Sequence, residues 1–361
     1  MRNSLIDYTK AIGIILVVIG HSACPIAIKN FIYSFHMPLF FIISGYLIPP
    51  TCFKNKVCFF KRKFKGLYIP FVIWSIVFLL LHNTFIHIGI LNDVYGNHNG
   101  DVSILYSYED YVNHVKDIVF KMTGYEWFLL GAYWFVRALY VGLLLFCLGG
   151  SFLNLILKTR IKAVLMLMLF SYGMVYYIAF NDNLAISKAW YRELFALFFI
   201  CIGFLLRNYF YGIPKNKLIV VLCLFVLIPV SVLNINMSTL SPTLLDLLLL
   251  PLTGTCGFVL IYNIAQLIDN TQFNRIKGTL SFIGKYSFLI FTFHILFFKP
   301  VSYLKVCLFD LPKEMIGCHP VIWIENGSFW MVYSVVSLIL SISFVKVYNA
   351  VEALLFRYLR K

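Results

Sequence analysis

Acidic side chains are scarce in this chain. Its 361 residues hold 15 Asp and Glu against 30 Lys and Arg, and only 12% are charged while 61% are hydrophobic. So few charges cannot cover a soluble domain of this size, and a mean hydropathy of +0.86 points to a polytopic membrane protein. The formal charge of +15 would suggest nucleic acid in a soluble protein. Here the basic residues lie mostly in short loops between apolar spans, and no basic groove interleaved with aromatics occurs, so nucleic-acid binding is not expected. The nine cysteines form no CxxC and no Cys/His cluster with zinc spacing, so no metal is expected. Most are read as small buried hydrophobes. Cys307 and Cys318 share one expected outer loop and could pair. No internal repeat is evident, so an inverted-repeat transporter gains no support.

What is present is long apolar sequence. A helix needs about 20 apolar residues to cross the hydrocarbon core. Ten stretches qualify, at roughly 8–27, 31–49, 67–90, 128–150, 161–180, 191–208, 217–235, 243–266, 286–305 and 328–347. The expected fold is all-α: one membrane bundle of about ten transmembrane helices, with 1–361 as a single domain. Most of the basic residues fall in every second connection, which the positive-inside rule assigns to the cytoplasm. Both termini are then cytoplasmic. The other side carries a polar, acidic loop at about 91–127 (Asn92, Asp93, Asn97, Asn99, Asp101, Glu109, Asp110) and a shorter one at about 306–327. Both could rim a site for a polar acceptor, or be ordinary solvated loops. A cleaved signal is the rival for residues 1–24. Its lipoprotein form fails because His21 stands three before Cys24, so 8–27 is taken as a retained helix.

Ionisable groups inside hydrocarbon are costly and mark functional sites. The first span carries Lys10 and, eleven residues on, His21; the second carries His36. At 1.5 Å per residue, Lys10 and His21 are about 16 Å apart along one helix face. Both histidines fall in the outer half of the core, on helices joined by a short hairpin, and could face one cavity. Imidazole suits acceptance of a hydroxyl proton near neutral pH; a plain interhelical hydrogen bond is the alternative for His21. Lys10, near the cytoplasmic surface, either meets an anionic cofactor phosphate or snorkels. His294, Arg137, Asp246 and Glu126 are read as structural. No GxSxG elbow follows Ser44, which weakens a serine hydrolase. No histidine precedes an aspartate by five residues, which removes the HxxxxD arrangement of glycerolipid acyltransferases.

Four segments resemble the acyltransferase-3 family of integral-membrane acyltransferases. They are Asp7…Lys10…Val17…His21-Ser22; Phe35-His36-Met37-Pro38-Leu39-Phe40-Phe41…Ser44-Gly45-Tyr46; Lys61-Arg62-Lys63-Phe64-Lys65 with Pro70 and Trp74; and Trp134-Phe135 with Gly284…Ser287…His294. The resemblance implies about ten helices, a bacterial inner-membrane location, a cytoplasmic acyl-CoA donor (most often acetyl-CoA) and a polysaccharide or other exported glycan as acceptor. It implies His21 as the essential histidine and the position of Lys10 as its basic companion. The family usually has Arg where Lys10 stands; lysine keeps the charge but loses the bidentate fork. The family's Arg-x-x-Arg pair maps to Arg62 and Lys65, or to Lys63 and Gly66.

Two classes of function therefore stand. The leading one is an O-acyltransferase moving acetyl from acetyl-CoA to a glycan hydroxyl. His21, His36 and Lys10 form its catalytic set, and Lys61, Arg62, Lys63 and Lys65 hold the CoA phosphates. The alternative is a proton-coupled transporter or flippase for a glycan or small anion, with the histidines as relays. A membrane scaffold would leave paired intramembrane histidines without a purpose.

Overall fold

The computed structural model describes residues 3–95, 104–126, 128–180, 190–210, 213, 215–237 and 242–359. Asn97, Asn99 and Asp101 of the expected polar loop lie outside the described residues. The helices are α1 (Ser4–His21), α2 (Ile26–Tyr33), α3 (His36–Tyr46), α4 (Lys56–Lys63), α5 (Ile69–His87), α6 (Tyr108–Lys121), α7 (Trp134–Leu157) and α8 (Arg160–Phe180). They continue as α9 (Tyr191–Asn208), α10 (Lys217–Ser231), α11 (Leu244–Asp269), α12 (Asn274–Lys285), α13 (Ser287–Phe293), α14 (Lys299–Phe309) and α15 (Phe329–Leu359). No strand occurs among the described residues. The protein is an all-α polytopic helical bundle.

Each of the ten expected apolar stretches is helical over most of its length. Seven described helices or continuous helix pairs are long and apolar enough to cross a membrane, and the bent pair α13 and α14 makes an eighth. The stretch at 217–235 yields only the 15-residue α10, an apolar helix below spanning length. α9 covers the stretch at 191–208. Two spans are interrupted: α2 and α3 are separated at Ser34 and Phe35, and α13 and α14 meet at 61°. The sequence pattern shows apolar content and hides such breaks, because a broken span and a straight one have the same composition.

The chain forms two compact units. The first comprises Met1–Gly13, Ala27–Phe71 and Trp134–Lys277. Its centre is the contact of α3 with α9, where glycine lets two backbones meet. A Cβ on Gly45 would strike the Ile200 carbonyl oxygen, and one on Gly203 would strike the Ile42 carbonyl oxygen. This is the small-residue packing that membrane helices use when no hydrophobic force draws them together. Arg137 Nε on α7 pairs with Glu193 Oε1 on α9 at 3.2 Å, and Arg192 lies 4.3 Å over the Trp134 ring. Asp246 closes a capping box with Thr243 at the start of α11. Arg137 and Asp246, read from sequence as structural, make these local contacts.

The second unit comprises Ile14–Ile26, Val72–Tyr133 and Gly278–Lys361. α6 lies in the loop expected to be merely polar. Its capping box joins Ser107 to Asp110, and the two Ser107 hydrogen bonds hold the Asp110 carboxyl below the usual carboxylate range. The loop at 310–328 has a small core of its own, built on Val306, Met315 and Ile322. Cys307 and Cys318 are free thiols, so the pairing left open by the sequence is not made.

Candidate active site

His21 is the last residue of α1. The helix stops there because Ala23 adopts a left-handed conformation (φ +57°) and Pro25 follows. Ser22 Oγ donates to the Ile19 carbonyl at 2.8 Å, satisfying one of the carbonyls that every helix end leaves open. The stop places the half-buried imidazole of His21 at the helix end.

The second imidazole comes from the bent span. Pro300 opens α14 and has no N–H to give to the preceding turn, so the helix cannot run straight through 294–299. His294 stands at the bend. Its own carbonyl accepts from Ser337 Oγ at 2.9 Å, and its Nδ1 contacts the Phe291 carbonyl at 2.6 Å. Exposed only 1%, the ring leans on Phe291 and Phe298. Its Nε2 lies 2.8 Å from His21 Nδ1, with the ring centroids 5.1 Å apart and the ring planes within 16° of each other.

These distances fix the protons. A carbonyl can only accept, so His294 Nδ1 carries hydrogen and donates to Phe291. In the neutral ring His294 Nε2 is then the acceptor. It takes the hydrogen of His21 Nδ1, and the lone pair of His21 is left on Nε2. A base oriented by a partner on its other ring nitrogen is the arrangement by which enzymes activate hydroxyl groups. By sequence alone His294 reads as a structural residue. Its position at the bend explains why: the residue does hold the bend, and only the fold brings its far nitrogen to His21.

The loop at 310–328 adds a third imidazole. Asn326 Nδ2 donates to the Ala23 carbonyl at 2.7 Å, tying this loop to the turn just past His21. Lys299, buried on α14, donates from Nζ to the carbonyls of Ile316 and Cys318 at 3.1 and 2.7 Å. That contact fixes the backbone beside His319. The His319 ring packs on Phe128 at 4.5 Å, and Lys299 lies over the same ring at 5.1 Å. Phe128 is held in turn by Glu126, whose carboxylate accepts from the N–H of Phe128 (3.2 Å) and of Leu129 (2.6 Å). Burial pushes the Glu126 carboxyl up to about 7. Burial first, then the neighbouring Lys299 and His21 charges, push His319 down to about 3, so its ring is neutral at physiological pH. Neither Glu126 nor His319 was expected to belong to a site. Glu126 showed only as an acidic residue at a span entrance, and His319 gave no signal beyond its residue type.

The remaining expected residues fall in the first unit. His36, 5% exposed, opens α3; its Nδ1 donates to the Ile32 carbonyl at 3.0 Å and its ring tilts against Tyr33 at 4.8 Å. The α2/α3 break is itself clamped from α11. Thr253 Oγ1 donates to the Ser34 carbonyl at 2.7 Å, and Phe35 fills the space where Gly257 has no side chain. Lys61, Arg62 and Lys63 form the last turn of α4, the end that favours cations. Lys65 lies in the wider π-helical turn that joins α4 to α5. Lys61, Arg62 and Lys65 are exposed, Lys63 half-buried. Lys10 lies near enough that its charge and that of Arg62 both act on Lys63. Beside them a surface depression of ≈ 640 Å³ is lined by Lys54, Asn55, Lys56, Val57, Cys58 and Lys61. The structure thus brings Lys10 near the cations at the end of α4 and joins His21 to His294. Among the described residues no group of three metal-ligating side chains occurs.

Two hydrogen-bonded imidazoles inside the apolar spans of an all-helical membrane protein mark a candidate functional site. The family model described as an acyltransferase domain matches residues 3–346, and the chain belongs to this acyltransferase family, the acyltransferase-3 family. It is also similar to nodulation protein NolL of Sinorhizobium fredii (strain NBRC 101917 / NGR234), 40% identical over 68 residues. That match covers 16% of this chain and 19% of NolL. No solved structure matches.

Proposed function

We propose that the protein is a membrane O-acyltransferase that moves an acetyl group from cytoplasmic acetyl-CoA to a hydroxyl of a cell-surface or exported glycan. The whole of 1–361 serves as one catalytic domain in a bacterial inner membrane, with both termini in the cytoplasm. The observation that carries this reading is the chain Phe291 carbonyl, His294, His21, which orients the base. His21 Nε2 takes the proton of the acceptor hydroxyl as its oxygen attacks the thioester carbonyl. The tetrahedral adduct then collapses, the carbon–sulfur bond breaks, and the thiolate recovers the proton from His21. General base catalysis of this kind supplies about 10²–10⁴-fold.

Lys61, Arg62, Lys63 and Lys65, with Lys10, hold the CoA phosphates. Arg62 and Lys65 are three residues apart, on neighbouring turns, and form the register of the family's basic pair that keeps two charges, the other being Lys63 and Gly66. His36 carries the structural share of the catalytic set: it occupies an acceptor carbonyl at the α2/α3 break, so it shapes the first unit and takes no proton from the acceptor. The test is mass spectrometry of alkali-released acyl groups from surface glycan, in cells with the gene, without it, and with His21→Ala. Acyl ester should vanish in the last two. Unchanged glycan in the deletion strain would move the assignment to a transporter.

A further inference from the structure

A tetrahedral adduct needs more than a base. As the hydroxyl oxygen bonds to the acyl carbon, the carbonyl π pair moves onto its oxygen, and that negative charge must meet a hydrogen-bond donor in a water-poor site. The His21–His294 pair cannot be that donor, because its hydrogens are committed to each other and to Phe291. The loop at 310–328 supplies one. Its His319 Nδ1 is buried with no hydrogen-bond partner, and a polar atom in that state is rare unless something binds there. Its backbone is pinned through the Cys318 carbonyl by Lys299, five residues past His294 on the bent span. The same loop is pinned beside His21 through the Asn326 bond to Ala23.

We propose that His319 is a second catalytic imidazole, whose ring N–H donates to the acyl carbonyl oxygen as that oxygen becomes negative during attack at His21. The inference rests on His21 being the base. A neutral imidazole is well suited to this work. It donates without first losing a proton, and it adds no charge that would hold a thiolate or CoA phosphate in place of the adduct. Burial, with the neighbouring Lys299 as a second influence, keeps His319 in that form. Phe128 backs the ring, and Glu126 fixes Phe128, so the donor is preorganised rather than recruited. When the adduct collapses, the electron pair returns to the carbonyl, the thiolate leaves, and the His319 hydrogen stays on its ring.

The test uses deletion cells complemented with variants at matched membrane levels, reading the initial rate at which alkali-labile acyl groups enter surface glycan. His319→Phe keeps the ring packing on Phe128 and removes the donor; the rate should fall about 10²–10³-fold. His319→Gln keeps a side-chain N–H and should recover at least roughly tenfold of that loss. A His319→Phe rate within about threefold of native, or a His319→Gln rate no better than His319→Phe, overturns the proposal. Should His319→Phe fail to reach the membrane, His319→Leu is read in the same way. His21→Gln is measured alongside. Full activity there removes the base assignment, whereas an inactive His21→Gln with a native-like His319→Phe removes the oxyanion donor alone.

Discussion

Two spans among the described residues are broken, and each break carries an imidazole doing the same local job. His36 gives its Nδ1 hydrogen to the Ile32 carbonyl, four residues back. His294 gives its Nδ1 hydrogen to the Phe291 carbonyl, three residues back. In a bilayer a freed carbonyl costs several kcal/mol unless it is satisfied, and a neighbouring histidine is a cheap way to satisfy it. The two rings differ in what they are shown to meet. His294 Nε2 lies against a second imidazole, while the His36 ring tilts against the Tyr33 ring. An imidazole joined to a second titratable ring can orient or pass a proton, and that sets the break at His294 apart.

The comparison is easiest to break at His21. His21→Ala should lower acyl transfer by about 10²–10⁴-fold, the range of a lost general base, measured as acyl ester on glycan at equal protein level. Next comes the partner. His294→Ala frees the His21 tautomer and should cost roughly 10²-fold, while His294→Gln, which can still accept from His21 Nδ1, should cost less. Equal losses in the two would show that the bend matters and the tautomer does not. His36→Ala tests the other break. It should lower activity less than about tenfold, but destabilise the fold by about 0.5–1.5 kcal/mol through loss of one of the two hydrogen bonds that the Ile32 carbonyl accepts, the other coming from the Phe35 N–H, seen as earlier thermal unfolding in detergent. A loss as deep as that of His21→Ala would return His36 to the chemistry.

Smaller effects sharpen the picture further out. Arg62 and Lys65 are exposed, so each proposed contact to phosphate would be worth only about 0.2–1 kcal/mol. Replacing both with Ala should raise KM for acetyl-CoA by up to about tenfold, leave kcat intact, and weaken the salt dependence of donor binding. The smallest expected signal is pH-dependent stability. His319 is lowered from its usual 6.5 to about 3, so the unfolded chain takes a proton that the folded protein refuses. Its contribution is present above about pH 6.5 and is lost as the pH falls toward 3. Glu126 runs the other way, raised from 4.5 to about 7: its contribution is complete below about pH 4.5 and is lost as the pH rises through 7. Melting curves from pH 7 to 5 should thus lose part of their acid slope in His319→Gln and become steeper in Glu126→Gln.

The apolar stretches were legible because a membrane span needs only composition and length, and each of the ten is helical over most of its length. The breaks were not, since Pro300 and the pair Ser34-Phe35 read as ordinary residues of apolar segments. The nearness of Lys10 to the α4 cations agrees with the alternation of basic residues between successive connections in the sequence. The His21–His294 contact could not be read that way. The two residues are 273 positions apart, and nothing in either local pattern encodes a pairing that depends on the bend at 294. His319 was the least visible of all, because its position is set by Lys299 reaching two loop carbonyls, a contact between polar groups with no periodicity to read.

The reciprocal glycines of α3 and α9 have a consequence for biogenesis. Roughly 160 residues of synthesis separate Gly45 from Gly203, which at about 5–20 residues per second is on the order of ten to thirty seconds. Throughout that interval α3 is already threaded into the lipid with its notch unfilled and its broken end unclamped, since Gly257 on α11 emerges later still. The newborn protein therefore waits half-assembled beside the translocon. That is the moment at which a bulky side chain at Gly45, harmless to insertion itself, would commit the chain to quality control.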